Sequence, residues 1–568
     1  MQNKEYYLNK PWLKYYPEGV PHEVEVPNKS LVEIFDQAAM QYSDQDAIVF
    51  YGTTLKYKQL KEYVDSFANA LRGLGISKGD TLIIYLLNSP QFIIAYFGAL
   101  KAGATVTPVS PIYTSGELKH QIDDSGAENI VCQDILYEYL VRSGCKMKNT
   151  FITGVDDFLP SLTKMFSSKI LKKYQGAKGL SKQLSSKQGI YNFKDILKQY
   201  KPEPPGIDIN PLVDIAAMPY SGGTTAKPKG VKLTHYNMVA NQIQIQSSWP
   251  FIKPGKETFL AFLPFFHIFG QVAIMINGLV LGAKLVIFTA PDTDEILYAI
   301  EKHSTTIFCG VPAMYEMLKD YEKTNMVEWD KIKLLLCAAD ALHESTAKEW
   351  QRRTGTKIIE GYGMTEASGA SHVNPFNRIK EGSFGIPISS VKAAVIDPDN
   401  NSFMPQGEVG ELIISGPNIM QGYQLKEGET SNTLIELEGD TWLKTGDLVS
   451  MDEEGYFYFY DRTKDLIKYK GYSIFAREIE EVLVNHPHIK AAGIVGVSDP
   501  KVGQYVKAYI VLQPDARSKL TEDDIVSYCK EELAHYKVPQ VVEFRGELPK
   551  TDVGKISRRE LRDERREV

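Results

Sequence analysis

Short apolar runs alternate with amphipathic stretches along most of this chain, and that alternation constrains the fold more than any other feature. DAIVFY (46–51), TLIIYLL (81–87), AKLVIF (283–288), TTIFCGV (305–311) and KLLLCAA (333–339) have strand length, while TDEILYAIEKH (293–303) carries a helical stripe. The alternation predicts an α/β architecture whose sheets have covered faces. After residue 380 the runs shorten. VKAAVIDPDN and VGELIISG are short strands set between Gly and Pro turns, which predicts a β-rich subdomain. From about residue 465 a compact α+β unit follows, with EIEEVLVNH as a helix and IKAAGIVGVSD and YVKAYIVLQ as strands. A length of 568 residues suits several such units. The division expected is a large domain at 1–463 and a small one at 464–568.

Charge and cysteine content exclude several classes of function. Lys and Arg total 64 against 71 Asp and Glu, a net of −7, so no basic field exists to hold a nucleic acid. The five cysteines, Cys132, Cys145, Cys309, Cys337 and Cys529, are scattered and form no CxxC pair. That excludes a disulfide framework or a cysteine-rich zinc site, and points to a reducing, cytoplasmic setting. The opening MQNKEYYLNKPWLKYYPEGVP has no apolar run of signal-peptide type. Residues 81–100 are apolar but broken at Asn88-Ser89-Pro90, which reads as strand, turn and helix, with Ser89 as cap and Pro90 in the first turn. Residues 263–288 carry His267, Gln271, Asn277 and Lys284, so no membrane span is expected. Between Asp157 and Asp195 there is no acidic residue, and Lys164, Lys169, Lys172, Lys173, Lys178, Lys182 and Lys187 interleave with Leu162, Met165, Phe166, Ile170 and Leu171. A basic insertion of this kind (about 158–200) is first of all a solvated excursion. Its sharper reading is peripheral contact of 158–194 with anionic lipid.

Residues 220–230 read YSGGTTAKPKG. Gly222 and Gly223 let the backbone turn tightly, Ser221, Thr224 and Thr225 add hydroxyls, and Lys227 and Lys229 add positive charge. Successive N–H groups in such a turn form an anion-binding concavity. The Walker A pattern does not fit, because no Gly-Lys-Ser/Thr follows.

This stretch resembles the phosphate loop of the adenylate-forming enzymes, which include acyl-CoA synthetases, firefly-type luciferases and peptide-synthetase adenylation domains. Ala226 stands where that family usually has Gly. Further segments, in the same order as in the family, carry the resemblance over roughly residues 10–565. LPFFHIFG (263–270) is similar to the aromatic-His segment, which implies that His267 and Phe269 line the acyl pocket. CAADAL (337–342) stands where relatives have Ser-Gly-Gly-Ala-Pro-Leu; Ala338 and Ala339 replace glycines and Asp340 is unusual, yet Ala339 is expected to border the adenine. EGYGMTE (360–366) implies nucleotide contacts from Gly361, Tyr362, Gly363, Met364 and Thr365, with Tyr362 stacked on adenine, Thr365 bonded to phosphate or acyl carboxylate, and Glu366 holding Mg²⁺. A hard cation bridging phosphates often takes only one or two carboxylates.

Thr-Gly-Asp (445–447) implies that Asp447 accepts from the ribose hydroxyls and that Arg462 reaches the ribose or phosphate. In DRTKDLIKYKGY (461–472) the resemblance makes Lys464 the pivot between domains and Lys468 a catalytic-site lysine of the small domain, and sets Lys470, Gly471 and Tyr472 on the CoA side. Ala476 stands where Pro is common. PKTDVGKI (549–556) implies that Lys555 is the catalytic lysine. The small Gly369 and Ala370 are expected to leave the acyl tunnel open.

The family resemblance implies an ATP-dependent acyl-CoA synthetase using Mg²⁺ and CoA. A carboxylate and the α-phosphate of ATP would form acyl-AMP and pyrophosphate; rotation about Lys464 would then withdraw Lys555 and let CoA take the acyl group. The leader KPWLKYYPEGVPHEV and the insertion resemble those of fatty-acid CoA ligases, so a medium- or long-chain fatty acid is the expected substrate. A short or hydroxylated acid, or loading of a carrier protein, is the alternative. The expected assembly is a monomer or homodimer.

Overall fold

The apolar runs become the inner strands of two helix-covered sheets. The computed structural model describes residues 2–160, 180–185, 187–221, 228–290, 293–470, 472–516, 520–551 and 555–563. Among these residues the first sheet has nine strands, ordered Ile386–Pro387, Gly369–Val373, Ile359–Met364, Leu334–Cys337, Ile307–Gly310, Thr258–Ala261, Lys284–Ile287, Asp46–Phe50 and Thr53–Lys56. Its six central strands, from Ile359–Met364 to Asp46–Phe50, run parallel. The second sheet is parallel from Ile215–Ala217 through Thr105–Pro108, Thr81–Tyr85, Asn129–Gln133 and Asn149–Thr153 to Ile190–Asn192. One buried apolar core joins the two sheets, from Tyr7 to Phe457.

Local chemistry explains the element ends. The strand Thr81–Tyr85 gives way to the helix Pro90–Lys101, where the Ser89 hydroxyl accepts from Phe92 N–H and Pro90 opens the first turn. Every residue of that helix is buried, which accounts for the apolar length that resembled a membrane span. No helix among the described residues is long and apolar enough to cross a membrane.

The β-rich part is an antiparallel sheet of Lys392–Ile396, Gly410–Ser415, Leu434–Leu437, Asp440–Met451 and Phe457–Arg462. Beyond it a separate core forms around Ile467, Ile494, Ile510 and Val542. It joins the helices Ala476–Val484 and Glu522–Glu532 to a sheet whose longest pair is Ile489–Asp499 and Gly503–Leu512. Ala476 opens the first of these helices, the position where a proline would be tolerated but is not required.

The basic insertion divides in two. Residues 161–179, with most of its lysines, lie outside the described residues. Residues 180–199 are not a free excursion: Ile190–Asn192 extends the second sheet beside Asn149–Thr153, and the helix Phe193–Gln199 buries Phe193, Ile196 and Leu197.

Candidate active site

In open α/β sheets, ligands gather at the carboxyl ends of the strands. Here the strand Leu334–Cys337 runs out into Ala338-Ala339-Asp340, and Ile359–Met364 runs out into Thr365 and Glu366. A small cavity opens beside them, lined by Ser110, Gln121, Tyr220, His267 and Thr365 among others.

The His267 ring has a defined tautomer. Its Nδ1 accepts from Phe269 N–H at 3.3 Å, which leaves the proton of the neutral ring on Nε2. Burial, helped by the charge of Lys555, lowers its pKa to about 4, so at neutral pH it is an uncharged donor. Phe269 begins a π-helical stretch, Phe269–Ile276, a geometry that recurs at functional sites.

Glu366 is 7% exposed and its Oε1 accepts from Ser221 Oγ at 3.0 Å and Tyr423 OH at 2.9 Å. Both bonds fall on one oxygen. One oriented carboxylate beside hydroxyls fits a cation whose other ligands are phosphate oxygens and water. Among the described residues no cluster of three or more His, Cys, Asp or Glu could cage a metal by itself.

Asp447 lies opposite Arg462 in the antiparallel pair. Its Oδ2 accepts from Tyr362 OH at 2.6 Å and its Oδ1 is 3.4 Å from Arg462 Nε. Burial raises its pKa while the Arg462 charge opposes that rise. Tyr362 itself rests on Phe384, ring centres 4.6 Å apart.

The glycines of this segment have a packing reason the sequence did not reveal. A Cβ on Gly363 would stand 1.7 Å from the Gly369 carbonyl oxygen on the next strand. Gly361, on the same strand, pairs with Val373, and a Cβ there would stand 3.3 Å from the His372 carbonyl oxygen. The small residues expected to open a tunnel are packed too. Gly369 has φ 131° and its Cβ would meet Asn241, while Ala370 exchanges hydrogen bonds with the Asn241 side chain.

Lys555, on the small domain, reaches this region. Its ammonium is 3.9 Å from Asp340, and its further charged neighbours are Asp447, Arg462 and Arg477. Burial pulls its pKa below the ordinary lysine value and Asp340 opposes the fall. The next turn anchors the segment: Arg558 bonds Asp461 at 2.6 Å and Glu480, and Arg562 bonds Asp465 at 2.7 Å and the Lys464 carbonyl at 3.2 Å.

The remaining candidates fall elsewhere. Lys229 pairs with Glu429 and lies over the Tyr423 ring. Lys468 donates to Ser473 within the hairpin of Ile467–Tyr469 and Tyr472–Ile474. Lys470 turns that hairpin at φ 49°, and Tyr472 stacks on Tyr536. Gly222, Gly223, Thr224, Thr225, Ala226 and Gly471 lie outside the described residues. Ala339, which replaces a family glycine, holds φ 75°, a left-handed conformation that strains any residue with a Cβ. Tyr423, Asp340 and Arg477 were missing from the sequence-based site. Asp340 had a signal in its place just past a strand's carboxyl end; Tyr423 had none.

Two domains that share one crevice in this way define an adenylate-forming enzyme. Residues 35–424 match the family model described as AMP-binding enzyme, and 478–555 match the AMP-binding enzyme C-terminal domain. The chain belongs to this family. It is 38% identical over 563 residues to a long-chain-fatty-acid–CoA ligase of Bacillus subtilis, covering 98% of each chain. A ligase of the same description from Escherichia coli is 35% identical, with 98% of this chain and 99% of that protein covered. Among solved structures, ATP-bound MatB from Rhodopseudomonas palustris superposes with a TM-score of 0.80 at 24% identity, over 94% of this chain and 98% of that one. An anthranilate CoA ligase in complex with anthranoyl-AMP also gives 0.80 at 24% identity, over 96% and 98%.

Proposed function

We propose that this chain is an AMP-forming acid–CoA ligase that activates long-chain fatty acids. The observation that carries the reading is the position of Lys555, delivered by one domain to a crevice built by the other, beside Asp340 and within electrostatic reach of Asp447, Arg462 and His267. Relatives named for long-chain fatty acids, similar over nearly the whole length, supply the substrate class.

In the first half-reaction a carboxylate oxygen attacks the α-phosphate of ATP, pyrophosphate leaves and acyl-AMP forms. Two anions meet, so cations and fixed donors carry the catalysis. Lys555 lies against the developing charge. Neutral His267 donates Nε2–H towards the carboxylate, Thr365 binds the phosphate or carboxylate, and Asp447 with Arg462 takes the ribose. Mg²⁺ bound through Glu366 would neutralise phosphate charge. In the second half-reaction the CoA thiol attacks the acyl carbon and AMP leaves. The small domain, taken as 464–568, swings about Lys464, withdraws Lys555 and turns the Lys468–Tyr472 hairpin to the crevice. Domain motions of this kind take microseconds to milliseconds.

Contact of 158–194 with anionic lipid would deliver the insoluble substrate; co-sedimentation with anionic liposomes that fails at every salt concentration removes this element. The five free cysteines support a cytoplasmic setting, and sedimentation velocity decides between monomer and homodimer. The central test is ATP–pyrophosphate exchange over acids of increasing chain length, followed by thioester formation on addition of CoA. Exchange peaking with long-chain acids is expected; no exchange with any acid refutes the function, and a maximum with short or aromatic acids refutes the substrate class.

A further inference from the structure

One acidic side chain in the crevice has no place in the mechanism above. Asp340 follows the strand Leu334–Cys337, and the turn that aims it passes through Ala339 at φ 75°. Its Oδ1 accepts from Ala341 N–H at 3.0 Å, and its Oδ2 stands 3.9 Å from the Lys555 ammonium. The carboxylate is held by its own backbone on one side and presented to the lysine on the other.

The surroundings of Lys555 leave this task to Asp340. Arg462, on the strand Phe457–Arg462, and Arg477, on the helix Ala476–Val484, both repel a charged Lys555. Asp447, on the facing strand, attracts it, but its two oxygens already engage Tyr362 and Arg462. His267, from the aromatic segment, is neutral. Burial adds a further push towards the uncharged amine.

We infer that Asp340 is a positioning residue that seats Lys555, in its charged form, over the crevice for the adenylation half-reaction. The inference rests on the function proposed above and adds a residue to that site. Asp340 touches no reacting atom and acts through Lys555. The family pattern leads one to expect alanine at this position.

The test uses the full-length enzyme with Asp340→Asn, Asp340→Ala and Asp340→Glu. ATP–pyrophosphate exchange is measured from pH 6 to 9.5 with an acid that the parent accepts, and thioester formation is measured separately from supplied acyl-AMP. With the pair's side chains 48% and 30% exposed, the interaction is partly screened. Exchange is therefore expected to fall roughly two- to fivefold in the Asn and Ala variants. The basic limb of its pH profile should move down by about half to one unit, because the amine loses its anion. Asp340→Glu should recover most of both, and thioester formation should stay within about twofold of the parent. A general structural role would lower both half-reactions together and leave the limb in place, and that result overturns the assignment. So does an Asn variant whose exchange and pH profile match the parent. A parent inactive in exchange with every acid refutes the proposed function and takes the assignment with it.

Discussion

Replacing Arg558 by methionine probes how Lys555 is held. The methionine keeps the apolar stem and deletes the guanidinium. In the parent, Arg558 Nη1 lies 2.6 Å from Asp461 Oδ1 and 3.4 Å from Asp465, and Nε lies 2.9 Å from Glu480. Asp461 is fully buried and would keep only the backbone donors of Arg462 and Arg477. Stranding one partner of a buried ion pair costs about 3–5 kcal/mol; with two backbone donors left on Asp461 the lower part of that range applies, about 3–4 kcal/mol, or about 10²- to 10³-fold in the equilibrium that docks the segment. Because Lys555 is three residues upstream, the loss falls on its seating first. A seat favoured a hundredfold in the parent would be filled about a tenth to a half of the time. ATP–pyrophosphate exchange is then expected to fall about two- to tenfold, while thioester formation from supplied acyl-AMP falls less. Trypsin should cut the 555–563 segment faster than in the parent. Exchange at the parental rate with no faster cleavage would show that the Arg558 cluster does not hold Lys555, and the reasoning would be wrong.

Lys555→Ala should abolish exchange yet still form thioester from supplied acyl-AMP; equal loss of both steps contradicts the withdrawing-lysine scheme. Tyr423→Phe removes one of the two hydroxyls on Glu366 and should raise the Mg²⁺ concentration needed for half-maximal exchange by about tenfold, read from a metal titration. Ala339→Gly relieves the left-handed strain at φ 75° and should stabilise the large domain by about 1 kcal/mol in urea unfolding. Burial lowers the pKa of His235 and His267 to about 4 and of His372 to about 3, against about 6.5 when unfolded. The unfolded chain therefore takes up these protons first, so the stability is present above pH 6.5 and is lost as pH falls towards 4. Urea midpoints at pH 7 and pH 5 should show the drop, and His372→Phe should lessen it.

How much of this was legible beforehand depended on range along the chain. Segments with a strong period came through end for end: TDEILYAIEKH is the helix Thr293–His303, and IKAAGIVGVSD is the strand Ile489–Asp499. Burial on one face leaves its mark locally in the sequence. Thr365 and Glu366 are neighbours in one motif and stand together at one strand end. Contacts made by tertiary pairing left no such mark. Tyr423 meets Glu366 because Gly422–Tyr423 pairs with Val231 and Lys232, and nothing near either residue signals it. Asp340 stood out as an oddity, but its partner comes from the other domain. Gly363 is ambiguous in another way, since two crowded strands and a ligand both demand glycine.

The strand Ile190–Asn192 has a consequence for how this chain can change over time. Lys194 donates to the Asp157 carbonyl at 2.6 Å, which ties the two edges of the lysine-rich span to each other, and Thr53, on the edge strand of the first sheet, bonds the Phe158 carbonyl at 2.5 Å. Doubling the length of a loop with fixed ends adds only about 0.6 kcal/mol. Changes of length between those two anchors therefore cost little in chain entropy.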